Sequence, residues 1–563
     1  MKIVIIGGVA TGPKVAARLK RLRPDAEITV VEQGEVISYG ACGLPLYLGN
    51  IVPELEELQM TNSGVIRDVK YFREQKGVKF LTATQAVKIN REEKHVLVKN
   101  LKTSEEQLLP YDYLVLATGA EPLVPPIPGT ELRKVYTLHY PKDAHTIKQL
   151  IRDKKAKHIT VLGAGLIGVE VADALAGPRL KVTLCEALGS VLPRLLDPDM
   201  AKLVEKQMRA RGVDLRLNCS VKALEGNSEG EVCRIITDQG VIETEAVVIA
   251  AGVRPNVRLA KEAGLELGET GAVKVDKNLR TSDPYIFAGG DCAEQTHVLT
   301  GKPVYIPLAS TANKQGRVIA DNIAGRTAEF AAVLGTSVLQ AFDLNIGRTG
   351  LSEAEAKEFG YDVITSVVSG LDATHYYPMH AGLTLKLIAD NETGKLLGAQ
   401  VCGQGEGIKR LDVLATALKL GAKLEDLSNL DLGYAPPFAT AMDIVIHAAN
   451  TLQNKREGLV PSLNAPEMLA RFTAGQEYCF VDVREPDEVQ ANPLPLPDVL
   501  NIPLSELRER WVDIPSERPT VTICELGIRS YEAACILKGL GRDQIAYLEG
   551  GTSTLKAYYD ASV

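Results

Sequence analysis

The chain has 563 residues, too many for one hydrophobic core, so three or four domains are expected. Its 45% hydrophobic and 24% charged residues are ordinary for a globular protein, and a net charge of −8 leaves no basic footprint for nucleic acid or an anionic membrane. No apolar run approaches the ~18 residues that span a bilayer, and nine cysteines without C-x-x-C or Cys/His spacing argue against a disulfide framework and a metal site.

The chain opens Met-Lys-Ile-Val-Ile-Ile-Gly-Gly, a β-run at 2–6 feeding a glycine turn instead of a signal peptide, so a reducing cytoplasmic location is expected. Gly7, Gly8 and Gly12 precede a predicted helix over 14–22, a strand at 27–31 and Glu32. Strand, glycine turn, helix, strand and then an acid about 20 residues past the glycines is the pattern of a dinucleotide site. Cys42 follows in Ser-Tyr-Gly-Ala-Cys-Gly-Leu-Pro, an irregular segment with no second cysteine within a turn or two. The dinucleotide pattern recurs with a strand at 158–162, Gly163, Gly165 and Gly168, a helix to 175, a strand at 181–185 and Glu186. Three further β-runs end at glycine turns suited to a cofactor: 111–119 with Thr118 and Gly119, 246–256 with Gly252, and 285–291 with Asp291. Residues 335–447 mix strands with a helix over 409–420 and read as a separate α+β domain. From 450 to 464 the chain turns polar and is broken by Gly and Pro, which predicts a linker. Strands at 478–483, 520–524 and 544–548 then alternate with helical segments, and Cys524 opens the loop Cys-Glu-Leu-Gly-Ile-Arg-Ser.

Glycines let a backbone approach pyrophosphate at a helix N-terminus, and Glu32 and Glu186 suit ribose hydroxyls. Glu186 would repel a 2′-phosphate, favouring NADH over NADPH, while Asp291 suits a flavin's ribityl chain. Two such sites in one chain imply a bound flavin and a transient nicotinamide with hydride passing between them. Cys42, lacking a partner, must cycle as a sulfenate, a persulfide or a mixed disulfide, and a thiolate held beside a flavin is expected to have a depressed pKa. Lys14, Arg18 and Arg21 share a helix face, either a cationic stripe for a polyphosphate nucleotide or a solvated surface.

Residues 1–447 resemble the flavin- and NAD(P)H-dependent pyridine nucleotide-disulfide oxidoreductases, within them the single-cysteine branch of coenzyme A disulfide reductases, persulfide reductases and some NADH oxidases. The motifs are Gly-Gly-Val-Ala-x-Gly at 7–12, Ser38 to Pro45, Ala117-Thr118-Gly119, Gly252-Val253-Arg254-Pro255-Asn256, Gly290-Asp291 and Tyr434-Ala435-Pro436-Pro437. The resemblance implies that Cys42 is the redox cysteine, that Ser38, Arg21, Lys76 and Asn313 contact coenzyme A, and that Ala86 and Ala309 offer backbone to FAD. It also implies that Tyr376 (or Tyr377) and Tyr434 reach the partner subunit's cysteine in a homodimer. Residues 463–563 resemble a rhodanese domain through Val481-Asp482-Val483-Arg484-Glu485-Pro486, Asn501-Ile502-Pro503-Leu504, Cys524 to Ser530 and Leu548-Glu549-Gly550-Gly551. In such a loop, backbone N–H groups and Arg529 are expected to aim at the Cys524 sulfur.

The expected fold class is α/β. Two nested Rossmann-like domains bind FAD (1–115 with 255–330) and NAD (116–254), an α+β dimerisation domain spans 331–447, a linker 448–462, and an α/β rhodanese domain 463–563. The leading functional expectation is NADH- and FAD-dependent reduction of a persulfide or polysulfide, with coenzyme A as substrate or bound thiol and Cys524 as sulfur carrier. Coenzyme A disulfide reduction, an NADH oxidase working through a Cys42 sulfenate, and a sulfur-trafficking or redox-sensing protein stand as alternatives.

Overall fold

The computed structural model describes residues 1–559. They form two compact units, one made of Met1–Cys185 and Cys219–Val333, the other of Glu186–Asn218 and the residues from Leu334 onward.

In the first unit five parallel strands lie in the order Ile286–Ala288, Tyr113–Leu116, Lys2–Ile6, Glu27–Val31, Lys79–Leu81. The run Ile3-Val4-Ile5-Ile6 is buried on both faces, as a central parallel strand requires. Ile3 and Ile5 pack with Val15, Ala16, Leu19 and Ile319 from the helices Thr11–Leu22 and Ala309–Ile323. Val4 and Ile6 point the other way, into a core closed by Ala86, Ile89, Val96, Val98 and Leu109 of an antiparallel three-stranded layer. Strand Ile286–Ala288 returns from far along the chain, so residues near 290 arrive beside the first glycine turn. A second parallel set, Lys181–Cys185, His158–Leu162, Ala246–Ile249 and Val135–Thr137, repeats the plan behind the second glycine turn.

In the second unit an antiparallel sheet runs Ser337–Ala341, Leu344–Gly350, Leu396–Gly403, Gly382–Asp390, Val363–Leu371. Helix Gly407–Leu420 covers part of it and helix Ile444–Arg456 packs on Val363–Leu371. The latter helix corrects the expected linker. Ile444, Val445, Ala448, Ala449 and Leu452 recur at helical spacing and are buried, so the chain stays helical to Arg456 and turns only over 457–461. A five-stranded parallel sheet follows in the order Ser462–Leu463, Ile545–Leu548, Thr520–Ile523, Cys479–Asp482, Leu500–Asn501, with buried side chains on both faces. Cys524 lies just past the C-terminal end of its central strand.

Candidate active sites

The two glycine turns are built alike. A Cβ on Gly12 would stand 1.9 Å from the carbonyl oxygen of Gly7, and one on Gly168 would stand 1.9 Å from that of Gly163. Only glycine fits, and the strand-to-helix turn is thereby closed tightly enough to present backbone N–H groups to a pyrophosphate. Glu32 is buried and braces the first turn, its Oε2 accepting from Gly8 N (2.7 Å) and its Oε1 from Gly34 N (2.7 Å). Each oxygen keeps a lone pair for a ribose hydroxyl. Glu186 follows strand Lys181–Cys185, and its Oε1 accepts from Leu188 N (2.9 Å).

The residues near Asp291 fit a flavin. Burial pushes the Asp291 carboxyl up to about 6. Gln315 Oε1 accepts from Gly290 N (2.7 Å), while Gln315 Nε2 and the Tyr305 hydroxyl are buried without a protein partner among the described residues. Buried donors left open in this way suit a polar cofactor that completes them. Thr118 Oγ1 donates to Asn256 O (2.7 Å) and Gly119 O accepts from Asn256 N, tying two predicted cofactor turns together, with Gly252 at φ +108° close behind in sequence. Ala86 lies buried in the antiparallel layer, and Ala309 begins its helix exposed.

Cys42 occupies the short turn Ala41–Gly43 ahead of helix Leu44–Leu48. Ser38, buried at φ +51°, donates its N–H to Gly8 O (2.9 Å), so the cysteine segment hangs from the first glycine turn. Helix Leu44–Leu48 packs on helix Leu166–Leu175, close enough that a Cβ on Gly49 would stand 3.3 Å from Ala174 Cα. That packing brings Glu170 toward the thiol. The expected depression of the Cys42 pKa is reversed in the protein alone: surrounding protein pushes it up by desolvation, and the charges of Glu170 and Asp291 add to this. No cation is among its causes. Glu170 is itself pushed up to about 7 by burial and by Asp173.

The helix bearing the expected cationic stripe presents two cations, not three. Lys14 and Arg21 are exposed, but Arg18 donates Nε (2.9 Å) and Nη2 (2.6 and 2.8 Å) to Asp321, both side chains nearly buried. Arg18 pins helix Thr11–Leu22 to helix Ala309–Ile323. Lys76 Nζ stands 5.0 Å from the Tyr71 ring centre, and exposed Asn313 donates to Ala309 O (2.9 Å).

In the second unit Tyr376 and Tyr434 are 63% and 50% exposed, and the neighbouring Tyr376 pushes up the Tyr434 pKa. Tyr377 instead turns half-buried into its own loop, its N–H donating to Thr374 O. Cys524 is 1% exposed. Its sulfur accepts from Gly527 N (3.1 Å) and Ser530 N (3.3 Å), at the N-terminus of helix Ile528–Gly539. Arg529 does not complete this ring as expected: Nη1 and Nη2 donate to Glu488 (2.6 and 2.7 Å), holding the Glu488 carboxyl down to about 2. The guanidinium charge stays near the thiol, with one N–H of each terminal nitrogen taken by the carboxylate.

Sequence profiles match pyridine nucleotide-disulphide oxidoreductases over residues 1–316, the dimerisation domain of that family over 337–445 and a rhodanese-like domain over 464–557. The chain belongs to the pyridine nucleotide-disulphide oxidoreductase family. It is 38% identical over 452 residues, 80% of this chain and 99% of the relative, to an NAD(P)H sulfur oxidoreductase (CoA-dependent) of Pyrococcus furiosus. An NAD(P)H coenzyme A polysulfide/persulfide reductase of Pyrococcus horikoshii is 37% identical over 80% of this chain and 98% of its own. Among solved structures, an NAD-dependent persulfide reductase from A. fulgidus superposes with a TM-score of 0.93 at 41% identity, covering 98% of this chain and 100% of that one. A reduced Bacillus anthracis CoADR-RHD gives 0.90 at 38% identity, covering 99% and 98%.

This family member is a flavin-dependent oxidoreductase that uses NAD(P)H and carries a rhodanese domain. Among the described residues no helix is long and apolar enough to cross a membrane, and no cluster of His, Cys, Asp or Glu has the makings of a metal site. Sequence reasoning missed Glu170, although it stands two residues past Gly168 on the helix that opens at the second glycine turn. It also missed Glu488, Tyr305 and Gln315, for which neither spacing nor residue type gave a signal.

Proposed function

We propose that the protein is an NADH-dependent persulfide reductase in which Cys524 carries sulfane sulfur and Cys42 takes the reducing equivalents. The carrying observation is the cradle of backbone amides around the Cys524 sulfur, in one chain with a flavoprotein whose redox cysteine has no partner cysteine nearby. Amides aimed at sulfur stabilise a thiolate or persulfide anion, as a sulfur carrier needs. The names of the Pyrococcus and A. fulgidus relatives support the same chemistry.

FAD, when bound, supplies the electron pair that originates in NADH. Lacking a 2′-phosphate, NADH suits Glu186 better than NADPH does. Cys42 as thiolate attacks the inner sulfur of R–S–SH, the bond between the sulfurs breaks, and hydrosulfide leaves with the bonding pair. The Cys42–S–S–R disulfide takes two electrons and one proton to restore the Cys42 thiolate and release RSH. In this reading Tyr434, with Tyr376 beside it, protonates a leaving thiolate, and the pair serves Cys42 of the partner subunit in a homodimer. Lys14, Arg21, Lys76, Ser38 and Asn313 serve coenzyme A or its persulfide, and Arg18 acts only through its ion pair. A cytoplasmic setting suits nine free cysteines. The four-domain division given above, with helix to Arg456 shortening the linker, frames these roles.

With coenzyme A persulfide as substrate, NADH oxidation should release sulfide in equal amount and fall by about 10³-fold or more in Cys42→Ser. Oxygen consumption exceeding every sulfur-dependent rate would establish the oxidase reading. Coenzyme A disulfide turning over faster than the persulfide would make the protein a disulfide reductase.

A further inference from the structure

Glu549 follows strand Ile545–Leu548 and is 1% exposed. Its Oε1 accepts from Lys455 Nζ (2.7 Å) and Ser462 Oγ (2.5 Å), and its Oε2 accepts from Val367 N (3.0 Å). Lys455 belongs to helix Ile444–Arg456 and also donates to Thr365 O (3.0 Å). Val367 is a middle residue of strand Val363–Leu371. A single buried carboxylate thus joins the rhodanese domain to a strand and a helix of the dimerisation domain.

Two covalent continuations give that junction a use. On the rhodanese side Glu549 leads straight into Gly550, Gly551 and Thr552. Thr552 N donates to Cys524 O (2.9 Å), and a Cβ on Gly551 would stand 2.5 Å from the same oxygen, so the Cys524 loop rests on this turn. On the other side Val367 leads into Val368, Ser369, Gly370 and Leu371, which form one wall of a cleft of 320 Å³. Ile444 and His447, from the helix that carries Lys455, extend that wall. Leu526 and Ile528 of the Cys524 loop form the wall opposite. His375, whose ring stacks edge-on against Tyr376 at 5.2 Å, lies at the margin. Glu549 therefore stands at the root of both the sulfur-carrying loop and the strand that line this cleft, which His375, the neighbour of Tyr376, also lines.

We propose that Glu549 is a positioning residue for sulfur delivery: its buried carboxylate latches the Cys524 loop to strand Val363–Leu371 and sets the width and register of the cleft that Leu526 and Ile528 share with that strand. The proposal rests on the carrier role given to Cys524 above. A carboxylate fixed by three donors from three segments has one geometry, so the loop is held rigidly where a domain on an open tether would wander. The latch acts on where the carried sulfur is presented, not on the bond-making at Cys524 itself.

The test uses the full-length holoenzyme with Glu549→Gln and, from the opposite side of the ion pair, Lys455→Met. Three rates are compared. Thiosulfate with cyanide reads Cys524 alone, through transfer of sulfur onto the thiol with release of sulfite and then onto cyanide as thiocyanate. Coenzyme A disulfide with NADH reads Cys42 alone. Thiosulfate with coenzyme A and NADH reads delivery from one to the other. The expected result in both variants is loss of delivery by about tenfold to a hundredfold, with the other two rates within about twofold of the parent and the double variant no worse than either single one. Thiocyanate formation falling in step with delivery would reduce Glu549 to a folding element, and unchanged delivery would remove the latch, each overturning the proposal. If the unmutated enzyme shows no thiosulfate-fed NADH oxidation, or if Cys524→Ser leaves it unchanged, the carrier role itself fails first.

Discussion

Cys42, Glu170 and Asp291 are three acids brought together, and no cation is among the groups that shift the thiol. Glu170 holds its proton up to about 7, so its charge, and with it the upward push on Cys42, develops as pH rises through neutrality. In flavin-free protein the alkylation rate of Cys42 by iodoacetamide should therefore reach half-maximum above the pH of a free thiol. Glu170→Gln removes one of the two like charges and should move that midpoint down, whereas an unmoved midpoint would place Glu170 too far away to matter. The glycines and Glu32 were legible in the sequence because their constraint is local: a turn with no room for a Cβ, and an acid a fixed distance past it. The partners of Arg18 and Arg529 were missed because a cation's partner is not local. Asp321 lies 303 residues from Arg18, and Glu488 lies 41 from Arg529. Only the fold shows that each guanidinium already has its carboxylate.

At the scale of elements, long-range ion pairs fasten helices to sheets. Lys386, 1% exposed on strand Gly382–Asp390, donates to Asp199 (2.8 Å) and Glu353 (2.8 Å) and stands 3.1 Å from Asp197. Asp197 and Asp199 open helix Pro198–Ala210, and Glu353 opens helix Glu353–Glu358. One cation thus anchors two helix N-termini to one strand. Lys386→Met leaves three buried or half-buried carboxylates without it and should cost about 3–5 kcal/mol, read as a lower midpoint in urea at unchanged slope. The pH dependence has a definite sign. Burial opposes the Glu353 charge, yet Lys386 and Lys357 overcome it and hold the carboxyl down to about 2. Its stabilisation is full above the ordinary carboxylate range and is lost as pH falls toward 2. Glu353→Gln should flatten that acid limb, and an unaltered limb would mean that other carboxylates govern it. None of this cluster was legible in the sequence, since four ordinary charged residues spread over three elements far apart in the chain carry no spacing signal. The strands that lead into the glycine turns were legible, because buried β-branched runs announce themselves locally. Helix Ile444–Arg456 was missed because its half-buried polar face, Asn450, Gln453 and Asn454, resembles a linker until its buried face is counted.

At the scale of the whole molecule, Tyr376, Met379, Tyr434, Phe438 and Met442 are all between 45% and 77% exposed, a concentration of large apolar side chains in a family dimerisation domain. In the homodimer proposed above, a second copy would bury them, and the neighbouring tyrosines within the set become active-site groups if that copy supplies Cys42. The two possibilities, sites within one chain or sites shared across two, separate cleanly by complementation. One chain carries Cys42→Ser, and the other carries Tyr376→Phe with Tyr434→Phe. Each homodimer should be severely impaired in NADH-dependent persulfide reduction. Co-expressed with different tags and purified through both, the heterodimer holds one site made of native Cys42 and native tyrosines, and one site lacking both. Shared sites therefore predict recovery of about half the wild-type rate per dimer. Sites confined to one chain predict no recovery, because every site would then lack either its thiol or its phenols. Phe438→Asp places a charge in the same patch without touching either group. In sedimentation it should shift the protein toward monomer, and activity should fall in proportion to the dimer lost. Full activity in the monomer would show that each chain completes its own site.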